Sequence, residues 1–560
     1  MKATRILTLI AAAAIILAAV IWRSGDSTPT TPGGTTGGGG DAVTVTFAYS
    51  PEKRPLLEPL VEEFNRQGVQ VAGRPVVVDA SSVSSGDAAT RIAAGRLEAD
   101  LWSPSSSLWG QVVNYRADAK RAPERSPSLV RTPLVIAMWQ PLAEALGWPK
   151  REIGWSDILR EATSKRGWAA YGRPEWGRFK LGHTNPDYST SGLSAVVAEY
   201  LFATGKTEGL LLKDVRAPAS RRTVQSIEQS IVHYGDTTLF FAEQMAANGP
   251  AYASAVAMEE VTLVDYNRRL AGNGPKLVAL YPKEGTFFSD NPLFVIDAPW
   301  SSPEQREAAT ALSEWLREHV DADSAAELFF RPGDPTAAPG SALTGDEYID
   351  LALPKRVLSA PDPEVLNAIQ QAWRADRKPA RVQIVLDISG SMNEERKLAS
   401  AQRGLDRFLS LMQPQDEVGL TVFNGRVTEV SAPIPIRTGR ARLRTAVGNQ
   451  IADGDTAVYD ATLAAATDVA ASATDKRISA VVVLTDGQDT ASTIDRPALE
   501  RQLDRLTGSE GEAVRVFTIA YGSDASDADL ERIAQAGGGR AYIGDPDTIE
   551  AVYAQIASFF

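Results

Sequence analysis

The sequence predicts an α/β protein, with two sheet-based domains in succession behind an amino-terminal apolar helix. Short apolar strands alternate with amphipathic helices from Asp41 onward. Several of those strands run directly into turns rich in Ser, Thr and Asp. Ile6 to Trp22 forms a run of seventeen residues without a charge.

The chain has 560 residues, room for about three compact units. Its composition, 44% hydrophobic and 23% charged, is that of an ordinary globular protein with substantial cores. The formal net charge of −13, with no basic stripe interleaved with aromatics, argues against a nucleic-acid binder. There are no cysteines. Disulfides, thiolate zinc sites, cysteine nucleophiles and a lipid-carrying cysteine are thereby excluded.

Lys2 and Arg5 precede the apolar run. As a helix that run spans ~26 Å at about 1.5 Å per residue, enough for a bilayer core. The basic residues before it predict an amino end inside and the bulk of the chain outside. A cleaved signal peptide would have a shorter apolar region and a small-x-small cleavage site. Here the run ends in Val20-Ile21-Trp22-Arg23, so a retained single-pass anchor in the cell membrane is expected over 1–23. Residues 24–41, with Thr-Pro pairs and Gly37 to Gly40, read as a flexible linker.

In the next segment Val43 to Ala48 is a strand and Pro55 to Arg66 a helix. Val76 to Asp79 is a second strand, followed by Ser81 to Gly86 and a helix from Asp87. Ala99 to Trp102 ends a third, followed by Ser103-Pro104-Ser105. Open α/β sheets bind ligands at the carboxyl ends of their strands, and helix amino ends favour anions. Leu134 to Trp139 reads as a crossing strand. A second set follows, with Leu181-Gly182-His183, then Thr190-Ser191-Gly192 before a helix from Leu193, and a strand at Leu277 to Leu280. Leu293 to Ile296 returns to the first set.

This order of elements resembles an extracellular solute-binding protein of the type-2 periplasmic-binding class, over 42–350. The resemblance implies two lobes, crossing hinges and a ligand in the cleft between lobes. By position, Tyr49, Ser50, Ser82, Ser84, Ser85, Ser103 and Ser105 would line one wall, and Thr190, Ser191 and Gly192 the other, with Tyr252 a further candidate. Helix capping competes as the reading for any single serine. The clustering at successive strand ends favours the cleft, and two donor-lined walls predict a small polar or anionic solute.

Residues 351–379 read as a connector, with a helix from Glu364 to Trp373. Beyond it, Arg381 to Leu386 is a buried strand that runs into Asp387-Ile388-Ser389-Gly390-Ser391, before a helix over Glu394 to Met412. Such a turn gathers a carboxylate and two hydroxyls, all hard oxygen ligands of the kind Mg²⁺ takes. Thr456 lies at a loop-to-helix junction, and Asp486 ends a second apolar strand, Val481 to Leu484. Further strands are expected at Val418 to Phe423 and Val514 to Ala520. Ordinary oxygen-rich turns are the competing reading.

Residues 380–560 resemble a von Willebrand factor A-type domain with a metal-ion-dependent adhesion site. All five motif positions match. The resemblance implies a doubly wound, Rossmann-like sheet, direct ligation of Mg²⁺ (alternatives Mn²⁺ or Ca²⁺) by Ser389, Ser391 and Thr456, and Asp387 and Asp486 acting through bound water. It also implies a protein partner that supplies a carboxylate to the metal.

Gly205-Lys206-Thr207 does not make a phosphate loop, because Tyr200 stands where the first glycine belongs and a helix precedes it. No G-x-S-x-G elbow or H-E-x-x-H motif is present. His183, His233 and His319 are widely separated and read as structural or exposed, with His183 close to the cleft. Asp460 and Asp489 read as a helix-start charge and a loop cap. The sequence thus predicts a membrane-anchored extracytoplasmic binding protein. The alternatives are the solute receptor of a transport system and a metal-dependent hydrolase, against which the lack of a general base weighs.

Overall fold

The computed structural model describes residues 42–272, 274–507, 514–522 and 525–560. The expected anchor and linker lie outside these residues. Among the described residues no helix is long and apolar enough to cross a membrane.

The first sheet has the strand order Phe294–Val295, Leu101–Ser103, Val43–Tyr49, Arg74–Ser82, Gln70–Val71. Val43–Tyr49 is parallel to both of its neighbours, and Tyr49 stands opposite Ser82 on one side and Ser103 on the other. The register therefore ends three strands at one level, which gathers the serine-rich loops. Phe294–Val295 returns antiparallel to Leu101–Ser103 and closes this lobe.

In the second sheet the long strand Val130–Trp139 pairs antiparallel with Ala255–Glu259 and with Leu277–Leu280, and Leu181–His183 runs parallel to Ala255–Glu259. The helix expected from Leu193 begins earlier, at Thr190, and runs to Thr204. It ends at Gly205, whose φ of 68° is the left-handed closing conformation that glycine adopts freely. At Gly192 a Cβ would meet the Thr184 carbonyl oxygen at 2.0 Å. This helix seats so close to the loop before it that only glycine fits there.

The third sheet has the order Val427–Pro435, Glu417–Phe423, Ala380–Asp387, Ile478–Thr485, Val514–Tyr521, Gly538–Gly544. Its pairs are parallel except at the edge strand Val427–Pro435. Helices on both faces cover the near-continuous apolar strands, as an all-buried parallel sheet requires. The helix expected over Glu394 to Met412 is in two parts. A tight turn occupies Gly390–Arg396, and the regular helix is Lys397–Leu411. Positive φ at Glu395 and Arg396 (48° and 58°) separates them.

Residues 43–560 form one compact unit. The connector helix, Pro363–Asp376, buries Leu366, Ile369 and Trp373. Arg374 makes a two-pronged contact to Asp187, at 2.6 and 2.8 Å. Arg377 pairs with the buried Asp416 at 2.6 Å. Phe559 packs its ring 4.9 Å from both Phe240 and Phe517, so one aromatic cluster joins the second lobe to the third sheet. The segment read as a connector is a packed element held on both sides.

Candidate functional site

The carboxyl end of the third sheet brings the five predicted metal-site residues to one place. Leu386 pairs with Leu484, so Asp387 and Thr485 end adjacent strands at one level, with Asp486 next in the chain. Both aspartates are fully buried. Ser389 donates its backbone N–H to Asp387 Oδ1 at 2.7 Å, which folds the turn back over the strand end. Thr485 Oγ1 donates to Asp387 Oδ2 at 2.6 Å. Ser389 Oγ and Ser391 Oγ lie 3.2 Å apart, and Ser391 Oγ donates to Asp486 Oδ1 at 2.7 Å. Thr456 enters from its own loop. A Cβ on Gly487 would sit 3.8 Å from Thr456 Oγ1 and 3.9 Å from Ser391 Oγ, so that glycine keeps the space between the hydroxyls open.

Burial pushes the Asp387 carboxyl up to about 6 against the pull of its hydrogen bonds, and the Asp486 charge adds to the rise. Lys397 lies in the same crevice. The left-handed backbone at Glu395 and Arg396 starts the following helix at Lys397, and its Nζ lies 2.9 Å from Asp486 Oδ2 in a buried pair. No pattern in the sequence marked this lysine. Asp489 accepts from Ser492, and Asp460 accepts the Thr493 N–H at 2.8 Å. Asp489 thus ties its own loop, and Asp460 stands in the first turn of the helix Val458–Ala471. Three hydroxyls and two carboxylates make an oxygen-only donor set that fits a hard divalent cation.

The cleft between the two lobes is lined by Ser50, Ser84, Ser85, Ser105 and Thr190 of the predicted set, together with Glu52, Asp236 and Glu259. It encloses about 20 Å³, room for one water. The other candidates fall outside this lining. Tyr49 turns back to Glu58, 3.1 Å from its hydroxyl. Ser82 and Ser103 sit in strand register on either side of Tyr49. Ser191 bonds Thr184 and Ser189, each at 3.1 Å, and Gly192 is consumed by its contact to Thr184. Tyr252 is buried against His233 and under the Arg515 guanidinium, and lines a separate cavity of about 270 Å³ beside Lys378.

The cleft expected to hold a small polar or anionic solute carries carboxylates beside its hydroxyls. Ser50 Oγ and Ser105 Oγ donate to Glu52 Oε1, at 2.5 and 2.8 Å. The hydroxyl wall is thus already satisfied by an internal carboxylate. Glu259, buried, is pushed up to about 7 by desolvation and then by Glu52. Lys53 behind the wall donates to the Pro104 carbonyl and to Asn291 Oδ1 at 3.0 and 2.8 Å, and its Nζ lies 3.9 Å from Glu52 Oε1. Glu52 stands three residues past the end of the strand Val43–Tyr49. Asp236 and Glu259 arrive from the second lobe and carried no local signal.

Residues 45–322 match the family described as bacterial extracellular solute-binding protein, and residues 382–555 match the von Willebrand factor type A domain. No curated protein matches the chain. Similar solved structures include a von Willebrand factor type A protein from Catenulispora acidiphila, at 24% identity and a TM-score of 0.29, over 32% of this chain and 42% of that one. This chain thus spans less than half the length of that relative. Another is the conserved hypothetical protein BatB from Bacteroides thetaiotaomicron, at 19% identity and a TM-score of 0.27, over 32% of this chain and 98% of that one. A periplasmic thiamin binding protein matches at 9% identity and a TM-score of 0.42, over 61% of this chain and 98% of that one. The chain carries an extracellular solute-binding domain followed by a von Willebrand factor type A domain.

Proposed function

We propose that this is an outward-facing binding protein, not an enzyme, held at the cell membrane by Ile6 to Trp22. Its last domain engages a protein partner through one divalent cation, Mg²⁺ with Mn²⁺ or Ca²⁺ as alternatives. The observation that carries the reading is the convergence of Asp387, Ser389, Ser391 and Asp486 through hydrogen bonds of 2.7 to 3.2 Å, with Thr456 facing them across Gly487. When bound, the cation supplies a positive centre for a partner's carboxylate. Ser389, Ser391 and Thr456 would hold it through their hydroxyls, with Asp387 fixing the Ser389 backbone, Asp486 orienting the Ser391 hydroxyl, and both aspartates acting on the cation through water. Lys397 offsets the charge of Asp486, so less of the cation's charge is cancelled by the site itself.

The middle domain takes a small solute in the interlobe cleft. Glu52, Asp236 and Glu259 on its walls outnumber the two cations that pair with them, Lys53 at 3.9 Å from Glu52 and Arg540 at 3.8 Å from Asp236, and so favour a cationic or amine-bearing solute. Fluorescence polarisation on the full chain tests the partner mode. A panel of acidic peptides should bind in Mg²⁺ and be released by EDTA, with neutral amide versions silent. Binding that persists in EDTA would contradict it. A thermal-shift screen of amines against carboxylates tests the solute class, and stabilisation by carboxylates alone would contradict that part. Saturating ligand at ~100-fold over its Kd adds about 2.7 kcal/mol.

A further inference from the structure

His183, Glu199 and Glu228 form a cluster that neither domain's expected site uses. His183 ends the strand Leu181–His183, Glu199 lies in the helix Thr190–Thr204, and Glu228 ends the helix Pro218–Glu228. All three are fully buried. One ligand atom from each lies within 4.8 Å of the others.

The hydrogen bonds around the cluster are those a metal site needs. His183 Nδ1 lies 2.7 Å from the Thr184 carbonyl oxygen. A carbonyl only accepts, so Nδ1 carries the hydrogen. The Nε2 of the neutral ring then presents a lone pair to Glu228 Oε1, 2.9 Å away. Glu228 Oε2 accepts from the Tyr234 hydroxyl at 2.6 Å and from Trp373 Nε1 at 3.1 Å. Those two donors hold the carboxylate in place and leave Oε1 aimed at the imidazole. Neither oxygen of Glu199 has a hydrogen-bond partner. A buried carboxylate left this way takes up a proton or a cation, and the neutral acid still leaves both Glu199 oxygens without a partner.

A single proton shared between His183 and Glu228 would satisfy that pair and still leave Glu199 with nothing. A divalent cation satisfies all three, and it balances two carboxylates. The outer bonds of His183 to a backbone carbonyl and of Glu228 to Tyr234 and Trp373 are the usual supports of metal ligands. We propose that His183, Glu199 and Glu228 bind one zinc-class divalent ion where the second lobe meets the connector helix. The imidazole selects Zn²⁺ or a neighbouring transition metal over Mg²⁺ and Ca²⁺, which take oxygen. Donors on one tetrahedral zinc stand roughly 3.3 Å apart, given bonds of about 2.0 Å, so a modest rotation of Glu199 brings the three protein donors into range and a water takes the fourth position. The ion would pin Trp373 of the connector helix through Glu228.

The test uses the full chain carrying Asp387→Ala, which silences the other metal site. The protein is loaded with Zn²⁺, desalted and assayed for metal by mass spectrometry. One zinc per chain should remain, and it should fall to background when Glu199→Gln is added, with circular dichroism unchanged. Cobalt-loaded Asp387→Ala protein should show the visible bands of a four-coordinate site, and this reading stands even where Glu199→Gln does not fold. No retained metal, zinc content equal in both variants, or a six-coordinate cobalt spectrum would each overturn the assignment.

Discussion

Lys397 and Asp486 form a buried pair inside the crevice proposed to hold the cation. Removing one member of such a pair leaves the other charge uncompensated, at about 3–5 kcal/mol. Lys397→Met should therefore lower the urea midpoint of the metal-free chain strongly, and excess Mg²⁺ should restore part of the loss. An equal loss with and without Mg²⁺ would show that the cation does not reach Asp486. Glu259 gives a second residue-scale prediction, for pH. Its folded value of about 7 lies above the ordinary glutamate value of 4.5. Its contribution to stability is thus complete below pH ~4.5 and is lost as pH rises through about 7, up to about 3 kcal/mol. Glu259→Gln should flatten that decline and be the more stable protein at mildly alkaline pH. An amine-bearing solute should bind more tightly as pH rises over the same window, since ionised Glu259 attracts it. Denaturation curves and calorimetry across pH check both trends.

At the scale of elements, parallel register explains what the sequence could show. Asp387 and Asp486 each close an apolar strand, so their positions were legible from local pattern alone. The strands Val43–Tyr49, Val130–Trp139 and Ile478–Thr485 were legible for the same reason, as apolar runs bounded by turn residues. Val427–Pro435 was not, because its two prolines argue against a strand and are tolerated only at an edge. Gly538–Gly544 was not either, since its glycines have no strand preference and only pairing with Val514–Tyr521 fixes it. The carboxylates of the cleft and the cluster of His183, Glu199 and Glu228 come from remote segments, and no spacing rule joins them. Lys397 depends on a left-handed turn that the sequence does not announce. The helix Thr190–Thr204 offers a direct check of close seating. Gly192→Ala places a methyl 2.0 Å from the Thr184 oxygen, and overpacking of this kind costs about 1–3 kcal/mol. A midpoint unchanged in denaturant would contradict that packing.

At the scale of the whole molecule, the solute-binding and von Willebrand domains share a core. Phe559 lies buried among Phe240, His233 and Phe517, and Asn185 Nδ2 donates to the Ser558 carbonyl at 3.0 Å. The two domains should therefore unfold in one transition. Phe559→Ala should remove about 3–5 kcal/mol and split calorimetric unfolding into two steps, whereas two steps in the wild type would contradict the shared core. The proposed division of labour, solute in the cleft and partner on the cation, depends most on the metal site. Titration calorimetry of Mg²⁺ into the full chain, wild type against Asp387→Ala, tests it most directly, with circular dichroism on both. The wild type should take up one equivalent, and the variant should bind none while keeping its fold. Undiminished Mg²⁺ affinity in folded Asp387→Ala would contradict the account.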